Sequence, residues 1–573
     1  MKFFSFCLRS AFYLILAGVV SAPFWKGKLR SHTAKQASII LREVGTSAGV
    51  DFHHRNDLTE LFRNQPQFAH LNNWLEAISA SVAIVDLNKD GLYDIFFTST
   101  EMGSASGLFI NQGDGTFKER SKDYNLTYLL TAARPLFFDC DNDGELEVFV
   151  TAHMKNLVYK MDKDGKYQKY FTFPDNVKPQ ISVAANILDF NNDGNLDVVF
   201  GGMGHLNAPE SMVSAENGSP LQLFEGNGTC DFKDASEKMG FKGNVFVHAI
   251  GVGDFWNRGG VQDLWIATDF NEDHILRHEG AAGYVDVSSL KRKGQSQNGM
   301  ASEIFYENDS KYPSIYVSHI YEPGYFTDGN KVWRWDEQSG TYVNVARDWG
   351  VHHCGWGWAG MNVDLSNKGF ADFVVVNGFV TGESKSNWWF KIQTTTNSLR
   401  PVVGNPRFWP KMDDLNLSGR QRDCVFSNDG ANHYTDIAES LDFDHDRRDG
   451  RGLARIDFNN DGLPDLVVAN QKQRASLYLN ESPSGNWVGF ELKATKSHWQ
   501  ALGAQMTLHL SDGSFMKRYH NPYNGYASQH DPRHVFGLGD RRPEKLVIKW
   551  PSGVETVVTD LKTGTYNKVT DHE

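Results

Sequence analysis

Cysteine is scarce in this chain, five in 573 residues, and no two of the five are spaced as C-x-x-C, which argues against a zinc ribbon. A chain of this length needs no disulfides to build a core. With Cys7 set aside in the N-terminal segment, Cys140, Cys230, Cys354 and Cys424 allow three pairings. Positive charge is also in deficit. Fifty-seven Lys and Arg against 70 Asp and Glu give a net charge of −13, which argues against a nucleic-acid partner held through its phosphates. There is no HExxH helix, phosphate-cradling loop or dinucleotide fingerprint. The uncharged run from Ser10 to Trp25 is shorter than the ~20 residues of a comfortable membrane span. It follows Lys2 and Arg9 and ends near Val20, Ser21 and Ala22, the layout of an export signal. Pro23 behind that cut site, with Lys26, Lys28 and Arg30 beyond, leaves an uncleaved anchor and membrane tether as the alternative. Residues 1–25 are read as a signal peptide or N-terminal anchor and 26–38 as a linker. The body is expected to be exported: periplasmic, cell-surface or secreted.

The chain is rich in one repeated unit. A strand of small residues leads into an acidic loop, then a run of β-branched and aromatic residues, then an aromatic hairpin. The loops read DLNKDGLYD from Asp86, DCDNDGELE from Asp139, DFNNDGNLD from Asp189 and DFNNDGLPD from Asp457. Weaker copies start at Asp254, Tyr306 and Asp364. Four short strands per unit of roughly 50 residues is the pattern of a propeller blade. The fold class expected is all-β: a seven-bladed β-propeller over 39–485, with a small C-terminal β domain over 486–573. A long insertion runs from about 378 to 422. Most outer strands end as aromatic-x-x-x-small, as in FKERS and YTDIA, but the seventh unit stops at SLYLN. A spare copy, IILREVGTSAG from Ile39, is expected to complete that unit and close the ring's open edge. Five residues before each loop stand Ser81, Arg134, Ala184, Ala249, Ala301, Ala359 and Gly452. Small side chains suit strands crowding one axis, and Arg134 is the exception, expected to project into the channel.

In D-x-[DN]-x-D-G-x-x-[DE] the side chains at positions 1, 3, 5 and 9 converge on one hard cation, and Gly at position 6 lets the loop wrap it. Oxygen-only ligands favour Ca²⁺. Four sets are complete: Asp86, Asn88, Asp90 and Asp94; Asp139, Asp141, Asp143 and Glu147; Asp189, Asn191, Asp193 and Asp197; and Asp457, Asn459, Asp461 and Asp465. About four calcium sites are therefore expected. In the weaker loops Lys368 is placed to replace the cation, the Tyr306 loop lacks carboxylates at the ligand positions, and Asp254 and Asp263 stand one residue too far apart. On the mouth opposite these loops, strand register gathers Trp74, Glu76, His248, His353, Trp356, Trp358 and Arg451 as a candidate ligand site. His352, His353 and Cys354 form the most suggestive polar cluster there.

These loops and their LFxNxGDGTF-like hairpins resemble FG-GAP/VCBS repeats, the propeller units of integrin α-chains. LGAQMTLHL from Leu502, GYASQHDPRHVFGLGD from Gly525 and LVIKWPSGVET from Leu546 look like the ASPIC/UnbV domain. The combination is similar to the cartilage acidic protein family and its bacterial relatives. The resemblance implies a secreted or surface calcium-binding protein with no established reaction. Two functions fit. One is a binding or scaffold module for a glycan or protein at the cell envelope or in extracellular matrix. The other is an enzyme acting on polysaccharide or another envelope or natural-product substrate, with its site at the propeller mouth.

Overall fold

A computed structural model describes residues 39–572 apart from 60–65, 154, 175–181, 204–207, 293–296, 386–387, 397–399, 442 and 444. The signal or anchor and the linker, residues 1–38, lie outside the described residues. Among the described residues the repeat strands form seven sheets, antiparallel within the repeats. Their first strands are Ser81–Val85, Ala132–Phe138, Ser182–Leu188, Asn244–Gly253, Glu303–Phe305, Gly357–Val363 and Gly450–Ile456. Each first strand packs on the next, and the seventh returns to the first, so the sheets stand around one axis. This is an all-β, propeller-like arrangement. Apolar side chains between neighbouring sheets form its cores: Phe138, Phe149, Phe200 and Phe224 between the second and third, for example.

Closure follows the expected strand exchange. Leu41–Glu43 pairs antiparallel with Ser476–Asn480, setting Leu41 opposite Asn480. Ile39, Leu41, Val44 and Val50 are buried there, so the seventh sheet's outer edge is covered.

The C-terminal region differs from a domain merely appended. It forms a three-stranded sheet (His534–Gly539, Asn486–Lys493, Tyr566–Thr570) and a four-stranded one (Phe515–Tyr519, Gln505–Leu510, Pro543–Lys549, Glu555–Val558). Val488, Phe490, Met506, Leu508, Phe536 and Ile548 form their shared core. Between Tyr519 and His534 the chain leaves these sheets and enters the axis of the ring. Ser528–Gln529 pairs in parallel with Val82 and Ala83 of the first sheet. Arg134, fully buried, donates to the carbonyls of Ala185 at 2.8 Å, Tyr523 at 2.7 Å and Ser528 at 2.8 Å. The expectation for Arg134 holds, with a partner the repeat pattern did not reveal: the channel it enters is filled by the protein's own chain. Gly452 is required by the same approach, since a Cβ there would lie 2.5 Å from the Ala527 carbonyl oxygen.

The four cysteines pair as Cys140–Cys230 and Cys354–Cys424. The first disulfide ties the second acidic loop to the hairpin of the third sheet. The second lies within the sixth unit and removes Cys354 as a thiolate ligand, which corrects the polar-cluster reading at His352–Cys354.

Candidate functional site

All seven loops share one backbone. The fourth position is left-handed in each, at Lys89, Asn142, Asn192, Asn257, Asp309, Asn367 and Asn460. Six of them follow it with a positive-φ glycine: Gly91, Gly144, Gly194, Gly259, Gly369 and Gly462. The first carboxylate fastens the turn. Asp189 accepts from the N–H groups of Asp193 and Gly194, both at 3.0 Å, and Asp86 from Asp90 at 3.1 Å and Gly91 at 3.0 Å. The ninth-position carboxylate ties the loop to the third strand of its sheet. Asp94 accepts from Leu87 at 3.0 Å and Asn111 at 2.9 Å. Asp197 does so from Phe190 and Gly226, and Asp465 from Phe458 and Asn480. The motif assigned these carboxylates to the cation alone, and sequence spacing could not show their second role.

The third and fifth positions depart from the expected convergence in three of the four complete loops. Asn88, Asn191, Asn459 and Asp461 are exposed, as are Asp90 and Asp193, where the motif set them around a shared centre. Each asparagine turns on the aspartate two residues ahead. Asn88 Nδ2 donates to Asp90 at 2.8 Å, Asn191 Nδ2 to Asp193 at 2.9 Å and Asn459 Nδ2 to Asp461 at 2.8 Å. Asn191 also donates to Glu225 at 3.1 Å. The three Asn Oδ1 atoms accept from the N–H of that same aspartate at 3.3, 3.2 and 3.3 Å. Asp461 and its counterparts are further held by the seventh residue's N–H, as Leu463 donates to Asp461 Oδ1 at 2.8 Å. The cause is local. An amide carries a donor that a carboxylate lacks, so an Asn–Asp pair satisfies itself, whereas Asp141 and Asp143 of the second loop have only acceptors to offer each other. Asn88, Asn191 and Asn459 thus stand in surface turns, each paired with the aspartate two residues ahead, Asp90, Asp193 and Asp461.

Charge separates the loops into two sets. In the fourth, Arg258 forms an ion pair with Asp263. In the fifth, Arg334 lies 3.2 Å from Glu307. In the sixth, Lys368 Nζ lies 2.5 Å from Asp372, the substitution expected from its position. The counter-charge comes from the loop itself in the fourth and sixth, and from the strand Lys331–Asp336 in the fifth. In the first, third and seventh loops the ninth carboxylate is fully buried and no ion pair to it occurs among the described residues. Burial pushes Asp94 up to about 7 and Asp197 and Asp465 well above the carboxylate range.

The second loop shows how the donors accommodate a cation. Oxygens of Asp139, Asp141 and Asp143 lie within 4.8 Å of one another. The ammonium of Lys160 enters this cluster, paired with Asp141 and 3.7 Å from Asp143 and 3.9 Å from Glu147. Asp141 Oδ1 and Glu147 Oε1 remain buried without hydrogen bonds. The donors of the complete loops are carboxylate and amide oxygens, a chemistry that fits a hard cation.

Several loops are also touched by the C-terminal region. Trp499 Nε1 donates to Asp139 Oδ2 at 2.5 Å, Tyr566 OH to Asp457 Oδ2 at 2.6 Å and Gln505 to Asp254 at 2.7 Å. A Cβ on Gly462 would meet Trp487 at 2.0 Å.

At the opposite mouth the structure brings together five of the seven candidate residues. Trp74 packs on Trp409, Trp388 and Phe379 at ring distances of 4.8, 5.6 and 6.1 Å. Trp356 stacks between Phe379 at 4.4 Å and Trp389 at 4.7 Å. Arg451 lies 4.2 Å over Trp358 and donates to Gly378 O at 2.7 Å. His248 meets Trp358 at 5.7 Å and Tyr526 of the threaded segment at 5.8 Å. Glu76 and His353 stand apart. Glu76 is buried, accepting from Leu58 N at 3.2 Å and paired with Lys472. His353 stacks on Tyr321 at 3.8 Å. The gathered residues leave a void of about 20 Å³, room for about one water. This mouth is packed with aromatic side chains, with Trp388, Trp389 and Trp409 of the insertion against them. Beside the insertion lies a more open groove of about 520 Å³, lined by Tyr325, Phe326, Asp328, Arg347 and Trp389 among others.

Residues 494–573 match the family described as ASPIC and UnbV, and residues 86–150 and 139–200 match the FG-GAP-like repeat. The chain carries FG-GAP-like repeats and a C-terminal ASPIC/UnbV domain. Cartilage acidic protein 1 of Xenopus tropicalis is 22% identical over 498 residues, covering 76% of this chain and 72% of that protein. Cartilage acidic protein 1 of Homo sapiens is 27% identical over 127 residues, 21% of this chain and 19% of that protein. Among solved structures, BBS1N in complex with ARL6DN, soaked with mercury, aligns with a TM-score of 0.39 at 10% identity. That alignment covers 70% of this chain and 93% of that one. A second such crystal, soaked with lead, gives 0.37 at 9% identity, covering 70% and 91%. The FG-GAP matches span the first three acidic loops. The ASPIC/UnbV match contains Trp499, Gln505, Arg533 and Tyr566, which contact loops of the repeats, and the segment threaded through the ring.

Proposed function

We propose that this protein is an exported, calcium-loaded, seven-bladed β-propeller that serves as a binding or scaffold module for a glycan or protein at the cell envelope or in extracellular matrix. The contrast among the loops carries the calcium reading. Three weak loops have an Arg or Lys beside their carboxylates, and three complete loops bury a carboxylate with no such partner among the described residues. A buried unpaired carboxylate is costly, and a divalent ion removes that cost. In this reading the amides of Asn88, Asn191 and Asn459 turn by half a rotation, exchanging Nδ2 for Oδ1, and release Asp90, Asp193 and Asp461 to the ion. The two disulfides support export, since such bonds persist in oxidising compartments.

At an extracellular-type affinity of ~10⁻⁴ M and millimolar calcium, each filled loop contributes roughly 1–1.5 kcal/mol. EDTA is expected to lower the melting temperature by about 3–4 °C, and Asp189→Ala to remove part of the calcium response. An unchanged melting curve in EDTA sinks the calcium reading.

The binding surface assigned to this module is the groove beside the insertion. Its volume lies within the ~300–1,000 Å³ of small-ligand sites. Tyr325, 37% exposed, and Phe326 offer ring faces, while Asp328, Arg347 and Asn298 offer polar groups. That mixture suits a sugar or an extended peptide. Purified protein screened against glycans and envelope proteins should yield a ligand whose binding falls at least tenfold in Tyr325→Ala/Arg347→Ala, with the calcium response intact. Undiminished binding in that variant removes the groove from consideration.

A further inference from the structure

We propose that the chamber between the ring and the ASPIC/UnbV domain is a binding site for a small oxyanion, held jointly by ring, threaded segment and domain. The chamber has a volume of about 100 Å³ and is lined by Glu303 and Arg455 of the ring, His530 of the segment and Arg518 of the domain, among others. That is room for several waters or one small anion.

Three buried polar atoms that make no hydrogen bond converge beside it: Ser528 Oγ, His530 Nε2 and Glu303 Oε2. A methyl group placed on Gly525 would lie 3.2, 3.5 and 3.9 Å from them, respectively. Ser528, His530 and Glu303 are 1%, 2% and 6% exposed. Leaving such atoms unpaired in a folded interior is costly.

The chemistry of the three atoms points to an acceptor. The Arg455 N–H donates to His530 Nδ1 at 3.3 Å. Burial, with Arg455 and Arg134 nearby, keeps the imidazole neutral, even beside the Asn524 carbonyl. The ring proton therefore sits on Nε2, which excludes metal ligation there and leaves an N–H aimed into the site. Ser528 supplies a hydroxyl. Burial raises Glu303 to about 7, so near neutrality its carboxyl is also available as a donor. Two arginines of the lining add further donors. The Arg455 guanidinium meets the Asp531 carbonyl at 3.4 Å and Arg518 the Lys517 carbonyl at 2.9 Å, so both face carbonyls and neither forms an ion pair among the described residues. Asp364, Asp457 and Asp531 line the chamber too, Asp531 being paired with Arg533, so the anion is recognised by the directed N–H groups of Arg455 and Arg518 and not by an excess of positive charge.

The test uses full-length protein in calcium and chloride, melted in the presence of sulfate, phosphate or acetate at matched ionic strength. Melting opens the chamber, so a sealed native state does not hide the site. The expected result is a saturable rise of roughly 2 °C at a hundredfold excess over Kd for at least one of these anions. Sulfate and phosphate also stabilise proteins non-specifically, without saturation. The saturable part should disappear in Arg455→Gln and weaken in Ser528→Ala, the smaller change, which serves if Arg455→Gln fails to fold. A rise that is only linear in all three salts overturns the proposal, as does an unchanged saturable rise in the folded variants. Response to sulfate and phosphate alone identifies a tetrahedral inorganic anion, and response to acetate a carboxylate.

Discussion

Arg134→Ala is expected to cost roughly 3–5 kcal/mol and to release the segment threaded through the ring. The guanidinium is the junction of three chain segments: its own inner strand, Ala185 on the next, and Tyr523 and Ser528 of the threaded segment. Truncation takes a donor from three buried carbonyls, of which Tyr523 keeps only the longer bond from Asn186 Nδ2 at 3.4 Å, and leaves a void where the side chain was; each buried carbonyl left unpaired costs about 1–3 kcal/mol. The loss of a buried charge offsets part of this, since burial already lowers Arg134 to about 9. Urea unfolding measures the total, and limited proteolysis between Tyr519 and His534 reports release of the segment. A variant within about 1 kcal/mol of the parent and equally resistant to proteolysis would show that the arginine does not hold the segment.

Acid should loosen the same junction. His520, His530 and His534 are buried where ring and ASPIC/UnbV domain meet, and His520 Nδ1 lies 2.9 Å from His534 Nε2. Burial lowers His520 to about 4 and the other two well below the ordinary range, with Arg455 adding to the effect. Between those values and the unfolded value of ~6.5, the unfolded chain binds protons that the folded chain refuses. The stabilising contribution is therefore full above pH ~6.5 and is lost as pH falls towards 4. A single group shifted as far as His520 contributes about 3 kcal/mol over that window. The melting temperature should drop steeply from pH 6.5 to 4, and more gently in His520→Gln/His534→Gln. Parallel curves for parent and variant would place the acid response elsewhere.

What could be read in advance was whatever repeats locally. Asp-Asn-Gly loops, glycine at the sixth position and small residues on the inner strands each follow from one turn or one crowded axis, so the copies that carry them reinforce one another. The exchange of Leu41–Glu43 into the last sheet was legible because the seventh unit lacked an outer strand and a spare copy stood upstream. Lys368 was legible because it sits within its own loop. Lys160 was not, since it reaches the second loop from a strand of its own sheet. Nor did spacing reveal the turn of Asn88, Asn191 and Asn459 onto the next aspartate, because a motif records which oxygens are present and not which end of an amide faces them. The pairing of Val82 with Ser528 joins residues far apart in the chain, and segment 520–531 has no periodicity to betray a strand. Arg134, a large cation among Ala, Ser and Gly, was the one trace of it. Register correctly gathered Trp74, Trp356, Trp358, His248 and Arg451. Whether that cluster faces a ligand or a tryptophan from the insertion depends on packing, which no local spacing encodes.

The threading also sets an order of events in the life of each molecule. Ser81–Val85 is made early and its partner Ser528–Gln529 near the end, with the whole ring synthesised in between. At ~5–20 residues per second, that strand waits roughly 20–90 s for its last neighbour to leave the ribosome. The outer edge of the seventh sheet is closed by nearly the first residues of the body. Beginning and end of the chain must both be present before the axis fills, so a nascent or truncated chain holds an unfinished ring. Such a protein assembles its axis once, after its last residues are made.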